Sequence, residues 1–102
     1  MAIATTIKGK HMPKMIALKG NVTTTGGRVL DGDDSMLDNG TSLARHMGLA
    51  SCRRCGKNAP ILGSATNWGF GGTRGVVDGD IVMCDCSRGT NRVIARSTIF
   101  DE

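Results

Sequence analysis

The feature that most constrains this chain is an internal repeat, in which short words of sequence recur at a constant offset along the chain. The recurring words are Val29-Leu30 with Ile61-Leu62 and Val93-Ile94, Gly40-Thr41 with Gly72-Thr73, Cys52 with Cys84, and Thr66 with Thr98. A unit this short cannot bury its own apolar face, so the repeat predicts three similar units packed around a common axis. The alternative is a β-meander whose self-similarity is accidental.

Short apolar runs separated by Gly, Asn, Asp, Ser and Thr predict many short strands and turns. The runs are Met15–Leu18, Val29-Leu30, Ile61-Leu62, Val76-Val77, Ile81–Met83 and Val93–Ala95. The best helix candidate, residues 35–47, is interrupted by the turn signal Asp38-Asn39-Gly40. We therefore predict an all-β fold with at most a single helical turn. Its third unit ends at Phe100 and stays incomplete unless the N-terminal strand fills the gap.

The composition allows one small domain. Among 102 residues there are one Trp, two Phe and no Tyr, so the core must be built from aliphatic side chains that bury less area. A bound metal or an oligomeric partner would compensate. We assign residues 15–102 to this domain and residues 1–14 to an N-terminal extension. The His11-Met12 pair is compatible with a cloning remnant as well as with native sequence, and both interpretations stay open.

The charge pattern argues against a nucleic-acid partner. The formal net charge is +4, but the 13 Lys and Arg are spread among 9 carboxylates and form no long basic run. The sequence also lacks an apolar run of about 18 residues and the n-region and h-region of a classical export signal. We therefore expect neither a membrane span nor signal-dependent export.

The four cysteines form two close pairs, Cys52-x2-Cys55 and Cys84-x-Cys86, in two of three Gly-led turns. The turns are Gly20–Gly27, Gly48–Gly56 and Gly79–Cys86. Cys-x2-Cys is the spacing at which a tight turn aims two sulfurs at one point, and Zn²⁺ takes four tetrahedral ligands, commonly thiolates. Nearly one full repeat lies between Cys55 and Cys84, which lets the chain go out and return to the same end. We predict that Cys52, Cys55, Cys84 and Cys86 bind one Zn²⁺ there.

Other interpretations of these cysteines stay open. If one thiol is not a ligand, His46 is the first replacement and His11 the second. Structural disulfides would instead link the two loops, as Cys52 to Cys84 or Cys55 to Cys86. In the cytoplasm thiols are kept reduced, which favours a metal over disulfides. A cysteine nucleophile would need a base, an orienting third group and a pocket, and no such constellation is visible, so we predict that the protein is not an enzyme.

Four words, taken in order along the chain, resemble the PAAR-repeat family. Members typically carry Gly-Asp-x-Thr-x-His-Gly-Gly, Gly-x-x-x-Ala-Arg, Ser-Cys-x-x-Cys and a second Gly-Asp turn with Cys. The corresponding segments here are Gly20–Gly27, Gly40–Arg45, Ser51–Cys55 and Gly79–Cys84. The resemblance extends from about Met15 to Phe100. PAAR-repeat proteins are small cones that cap the membrane-puncturing spike of type VI secretion systems and related contractile phage tails.

The resemblance implies a small conical all-β domain of three pseudo-repeats with zinc at its apex. It also implies the partner, a trimeric VgrG-like or phage hub spike that binds one monomer per trimer. Contact with a membrane would be transient, during puncture. We expect assembly in the cytoplasm and secretion without a signal peptide, or incorporation into a virion tail.

Three departures from the family words bear on the site. Thr25 stands where the first turn usually has His, Asn21 stands for Asp, and residues 42–45 read Ser-Leu-Ala-Arg in place of Pro-Ala-Ala-Arg. The metal ligands are therefore argued from this chain's own cysteines. The alternative function is a small basic zinc-ribbon-like module that binds nucleic acid or protein, which predicts a clustered Lys/Arg face and salt-dependent binding.

Two further features have open roles. The adjacent Arg53 and Arg54 could meet acidic lipid headgroups or nucleic acid, or could be solvated side chains that lower thiolate pKa values. Trp68, on a Gly-rich loop, is either an interface anchor or a buried side chain that packs across the domain.

Overall fold

The computed structural model describes residues 14–66, 68–70 and 73–101. Within these ranges the chain forms nine short strands and no helix, which confirms the all-β prediction. The strands are β1 (Lys14–Met15), β2 (Asp33–Asp38), β3 (Thr41–Leu43), β4 (Leu49–Cys52), β5 (Lys57–Leu62), β6 (Gly69–Phe70), β7 (Thr73–Arg74), β8 (Ile81–Val82) and β9 (Phe100–Asp101). This part of the chain accordingly holds no helix with the length and hydropathy that a membrane crossing would need. His11 and most of the proposed N-terminal extension lie outside the described residues.

Six chain segments pair side by side into a closed ring. The pairs that close it are Val22 with Arg28, Val29 with Ala50, Leu49 with Pro60, Ile61 with Val82, Ile81 with Arg92, and Thr23 with Val93. The ring consists of three antiparallel hairpins, which we call the first (residues 22–29), second (residues 49–62) and third (residues 81–93). Because every hairpin turns at the same end, we call this end the tip and the opposite end the base.

Side chains from the repeated apolar words fill the interior of the ring. Val29, Ile61 and Val93 are all buried and belong to one cluster, together with alanines and valines of neighbouring segments. Successive side chains of a strand point to opposite faces, so the next residue of each word points outward; Leu30, for example, is exposed. The constant offset of the words thus corresponds to three return strands around one axis, as the repeat predicts.

Each hairpin is entered through a turn whose third residue has a left-handed backbone. These residues are Gly20, Met47 and Gly79, with φ of 89°, 68° and 86°. Each donates its N–H to the carbonyl of an inward-facing return residue at 2.7 or 2.8 Å; the acceptors are Val29, Ile61 and Val93 respectively. Glycine adopts this conformation without a Cβ clash. In the second unit Met47 takes the position that glycine holds in the other two turns, and the glycine of this turn, Gly48, comes one residue later.

Three two-stranded ribbons continue from the hairpins toward the base: β2 with β3, β6 with β7, and β9 with β1. In the third ribbon Met15 pairs with Phe100, so the N-terminal strand fills the gap left by the short third unit. The first ribbon turns at Asn39 and Gly40, whose φ values of 51° and 85° are those of a tight hairpin turn. In residues 35–47 the turn at Asp38-Asn39-Gly40 therefore forms in place of the helix that the apolar spacing favoured.

Matching hydrogen bonds tie neighbouring ribbons together. Thr66 donates its backbone N–H and its hydroxyl to the Asp101 carboxylate at 2.9 and 3.2 Å. Thr98, its repeat partner, donates the same two groups to Asp38 at 3.0 and 2.6 Å. A second apolar cluster lies between the ribbons, and Trp68 packs against it while its indole N–H donates to the Phe100 carbonyl at 3.2 Å. Trp68 is thus half-buried and held by the base.

The buried carboxylate of Asp80 gives a first test of the fold. It accepts hydrogen bonds from the backbone N–H groups of Val77 (2.8 Å) and Ser64 (2.9 Å) and from the Ser64 hydroxyl. Asp80→Ala would leave two N–H donors unpaired and should lower the unfolding free energy by about 2–4 kcal/mol. Asp80→Asn should cost less, because Asn21 at the same position of the first turn already accepts from Leu18 N at 2.9 Å. Urea unfolding of both variants measures the difference.

The same residue predicts a pH dependence. Burial raises the pKa of Asp80 above its usual 3.8 despite these hydrogen bonds. A carboxyl whose pKa is higher in the folded than in the unfolded state favours folding most below the unfolded value, and that contribution is lost as pH rises through the folded value. The wild type should therefore lose stability relative to Asp80→Asn as the pH rises above about 4. A stability difference that does not change with pH would contradict the assignment.

Candidate metal centre

The four cysteines meet at the tip. Their sulfur atoms all lie within 4.8 Å of one another, although nearly a full repeat of the chain separates Cys55 from Cys84. Cys52 is buried and the other three are partly exposed. All four thiols are free, and the Cys52 and Cys86 sulfurs lie 3.7 Å apart, which is too far for an S–S bond.

Two hairpin turns deliver these sulfurs. Cys52 ends β4, and the turn that follows closes when Gly56 donates its N–H to the Cys52 carbonyl at 2.9 Å. Gly56 has φ of 74°, which only glycine adopts without strain. In the third hairpin Cys84 follows β8, and its N–H donates to the Val82 carbonyl at 3.0 Å. Lys57 and Asp85 form an ion pair that links the two turns from outside.

This donor set fits a tetrahedral thiolate-preferring metal. Zn–S bonds of about 2.3 Å in a tetrahedron place the sulfurs about 3.8 Å apart. The observed Cys52–Cys86 separation of 3.7 Å agrees, and the 4.8 Å limit on every pair requires only small adjustments. Sulfur ligands select Zn²⁺ and other soft metals over Mg²⁺ or Ca²⁺. The cluster can therefore hold one metal ion.

The electrostatics of the cluster also favour a cation. The backbone N–H of Cys55 lowers the pKa of the Cys52 thiol to about 6, and the Thr25 hydroxyl contributes. Burial, together with the neighbouring Cys52 and Cys84, raises the pKa of Cys86 to about 12. The Cys52 thiol therefore loses its proton easily, whereas charge repulsion disfavours further thiolates beside it. A divalent cation removes this opposition by pairing with all four sulfurs.

The first hairpin contributes no cysteine but supports the site with Thr25. Its hydroxyl donates to the Asn91 Oδ1 at 2.9 Å and accepts from the Arg53 N–H at 3.3 Å. Asn91 is fully buried and donates its amide to the Ser51 carbonyl at 3.2 Å. Thr25 and Asn91 thus fix the two cysteine turns relative to each other. The sequence indicated Thr25 only through its departure from the family word, and nothing indicated Asn91.

The sequence also singled out His46 and the arginine pair Arg53-Arg54 near the cysteines. His46 belongs to the turn that enters the second hairpin from the base side, and its Nδ1 accepts the Gly63 N–H at 3.0 Å. It is not part of the sulfur cluster. Arg53 and Arg54 lie in the cysteine turn with exposed side chains. The disulfide pairs considered from the sequence, Cys52–Cys84 and Cys55–Cys86, are not formed.

In a comparison with known families, residues 19–88 match the family described as the PAAR motif. The matched range covers more than half of the chain and includes the first two hairpins, the first part of the third and all four cysteines. Comparison with curated proteins and with solved structures gives no significant match.

Proposed function

We propose that this chain, which belongs to the PAAR motif family, is the tip protein of a membrane-puncturing spike. The spike would be that of a contractile injection system, either type VI secretion or a phage-like tail. The single observation that carries the proposal, beyond family membership, is the convergence of four thiols at the tip of a closed ring of hairpins. The role is mechanical and not enzymatic.

One Zn²⁺ bound by Cys52, Cys55, Cys84 and Cys86 would sharpen this tip. A metal that holds two hairpin turns at one point replaces the core that the tip is too narrow to contain. The loss of loop freedom is offset by coordination energy, and the point stays rigid under load. The chemistry that the metal supplies is structural: it neutralises the thiolates and fixes their positions.

The partner we propose is the end of a trimeric β-helical spike, of the VgrG or phage hub type. Three ribbons follow one another around the base of a single chain, and a pseudo-threefold surface suits a partner with true threefold symmetry. Exposed Leu37 and Phe100 lie on two of these ribbons. Apolar exposure is not confined to the base, because Leu49 and Met83 on the hairpins are exposed as well.

Stoichiometry tests this partner. Light scattering of the purified complex should give one chain per spike trimer, and affinity should change little between low and physiological salt, because apolar contact dominates. Leu37→Asp, which places a charge on the base, should weaken the complex, whereas Leu49→Asp on the hairpin flank should not. A complex with a monomeric partner at 1:1, or none with any trimeric spike, would refute the proposal.

The same proposal covers localisation. The protein would assemble on its spike in the cytoplasm and leave the cell on the spike without a signal peptide, or form part of a virion tail. Its contact with a membrane would be brief, during puncture. Fractionation of cells with a working and a disabled injection machine tests this, because release should require the working machine.

A further inference from the structure

The tip carries a second cluster of functional groups beside the thiols, in a cavity that no cysteine lines. A cavity of about 340 Å³ opens where the three hairpin turns meet. It is lined by Thr24 and Thr25 of the first hairpin, Arg53 and Arg54 of the second, and Thr90 of the third. Among the residues that the structure describes, no acidic side chain lines it. We propose that this cavity binds an oxyanion of the phosphate class between the two guanidinium groups.

The walls of the cavity are held in place by hydrogen bonds between hairpins. The Thr24 hydroxyl donates to the Thr90 carbonyl at 2.9 Å and accepts the Arg92 N–H at 2.9 Å. The Thr25 hydroxyl accepts the Arg53 N–H at 3.3 Å, which fixes the start of the arginine pair. A site whose walls are ordered before binding loses less entropy when the ligand arrives.

The two arginines of the cavity differ from Arg28 and Arg92, two other arginines of the hairpins. Arg28 donates its guanidinium to the Gly20 carbonyl at 3.1 Å, and Arg92 donates to the Gly79 and Gly89 carbonyls at 2.9 and 3.2 Å. Arg53 and Arg54 have no such side-chain bond and no ion pair with any residue that the structure describes. Their guanidinium donors are therefore available, and guanidinium groups match phosphate oxygens in a bidentate geometry.

The charge balance of the tip favours an anion even when the thiols hold a metal. Four thiolates around a divalent cation carry a net charge of about −2. The three hairpins together contain five Arg and one Lys against a single acidic residue, Asp85. The hairpins together thus keep a positive excess, and the ion pair between Asp85 and Lys57 removes that acid from competition for Arg53 and Arg54.

The test uses the full chain as purified, with inorganic phosphate as the probe and NMR amide shifts as the readout. Phosphate should produce saturable shifts at Thr24, Thr25, Arg53, Arg54 and Thr90, and chloride at equal ionic strength should not. The Arg53→Gln, Arg54→Gln double variant should bind at least about tenfold more weakly. The control is Arg45→Gln, Arg74→Gln, which removes the same charge from exposed positions away from the tip.

Vesicles distinguish a free phosphate from a lipid headgroup. Phosphatidylcholine vesicles with phosphatidylglycerol should bind the wild type, release it on addition of phosphate and ignore the tip double variant if the ligand is a lipid phosphate. Phosphate binding without vesicle binding identifies a soluble oxyanion, and both results support the site. The proposal is overturned if neither probe binds, if chloride gives the same shifts, or if the control double variant weakens binding as much as the tip variant.

Discussion

Cys52→Ser and Cys84→Ser should each release the metal and lower the unfolding free energy by several kcal/mol, as expected for structural zinc sites. For a domain of this size such a loss corresponds to a melting temperature lower by roughly 10–20 °C. The reason is geometric: each variant removes one of four sulfurs that lie within 4.8 Å, and the three that remain leave the tetrahedral coordination of the metal incomplete. Elemental analysis and thermal unfolding give the two readouts.

The control for this prediction is Ser87→Ala, an exposed position next to Cys86, which should keep one metal ion per chain and an unchanged melting temperature. Thiol counting of native and denatured protein separates metal from disulfide, since chelation should expose four reactive thiols and a disulfide should not. Full zinc occupancy in the Cys52→Ser, Cys84→Ser double variant would refute the cysteine assignment.

Gly27→Ala should be nearly as damaging, although it lies in the hairpin without cysteines. A Cβ at Gly27 would lie 1.9 Å from the Ser51 carbonyl oxygen and 2.6 Å from its carbon, and both are backbone atoms that cannot move alone. We expect a loss of about 3 kcal/mol in unfolding free energy. Because Ser51 directly precedes Cys52, the shift should also weaken metal binding, measured by competition with a chelator.

A matched glycine variant separates this clash from the general cost of losing a glycine. Gly79 has φ of 86° with nothing within 4 Å of its Cβ position, so Gly79→Ala should cost only about 1–2 kcal/mol from backbone strain. It should keep wild-type metal affinity, because Gly79 lies at the far end of its hairpin from the thiols. If Gly27→Ala melted at the wild-type temperature, the close contact between the first two hairpins would be wrong.

The sequence by itself determined the features that depend on local pattern. The constant offset of the repeated words identified the three inward-facing positions Val29, Ile61 and Val93, because residues that repeat in one structural unit face the same environment. Asp38-Asn39-Gly40 identified a turn because its backbone conformation is encoded by those residues alone. The spacing of the cysteines indicated which thiols could meet. Family membership followed from the order of such words.

Only the tertiary structure decided the features that depend on distant parts of the chain. His46 was a possible ligand in the sequence, but the fold places its imidazole on the Gly63 amide, on the base side of its hairpin. The irregular turn at Met47 became visible only through its φ of 68°. Asn91 had no sequence signal, because its partners Thr25 and Ser51 come from other hairpins. Short sequence patterns determine the local backbone conformation. Hydrogen bonds and close contacts between hairpins exist only once the ring has closed.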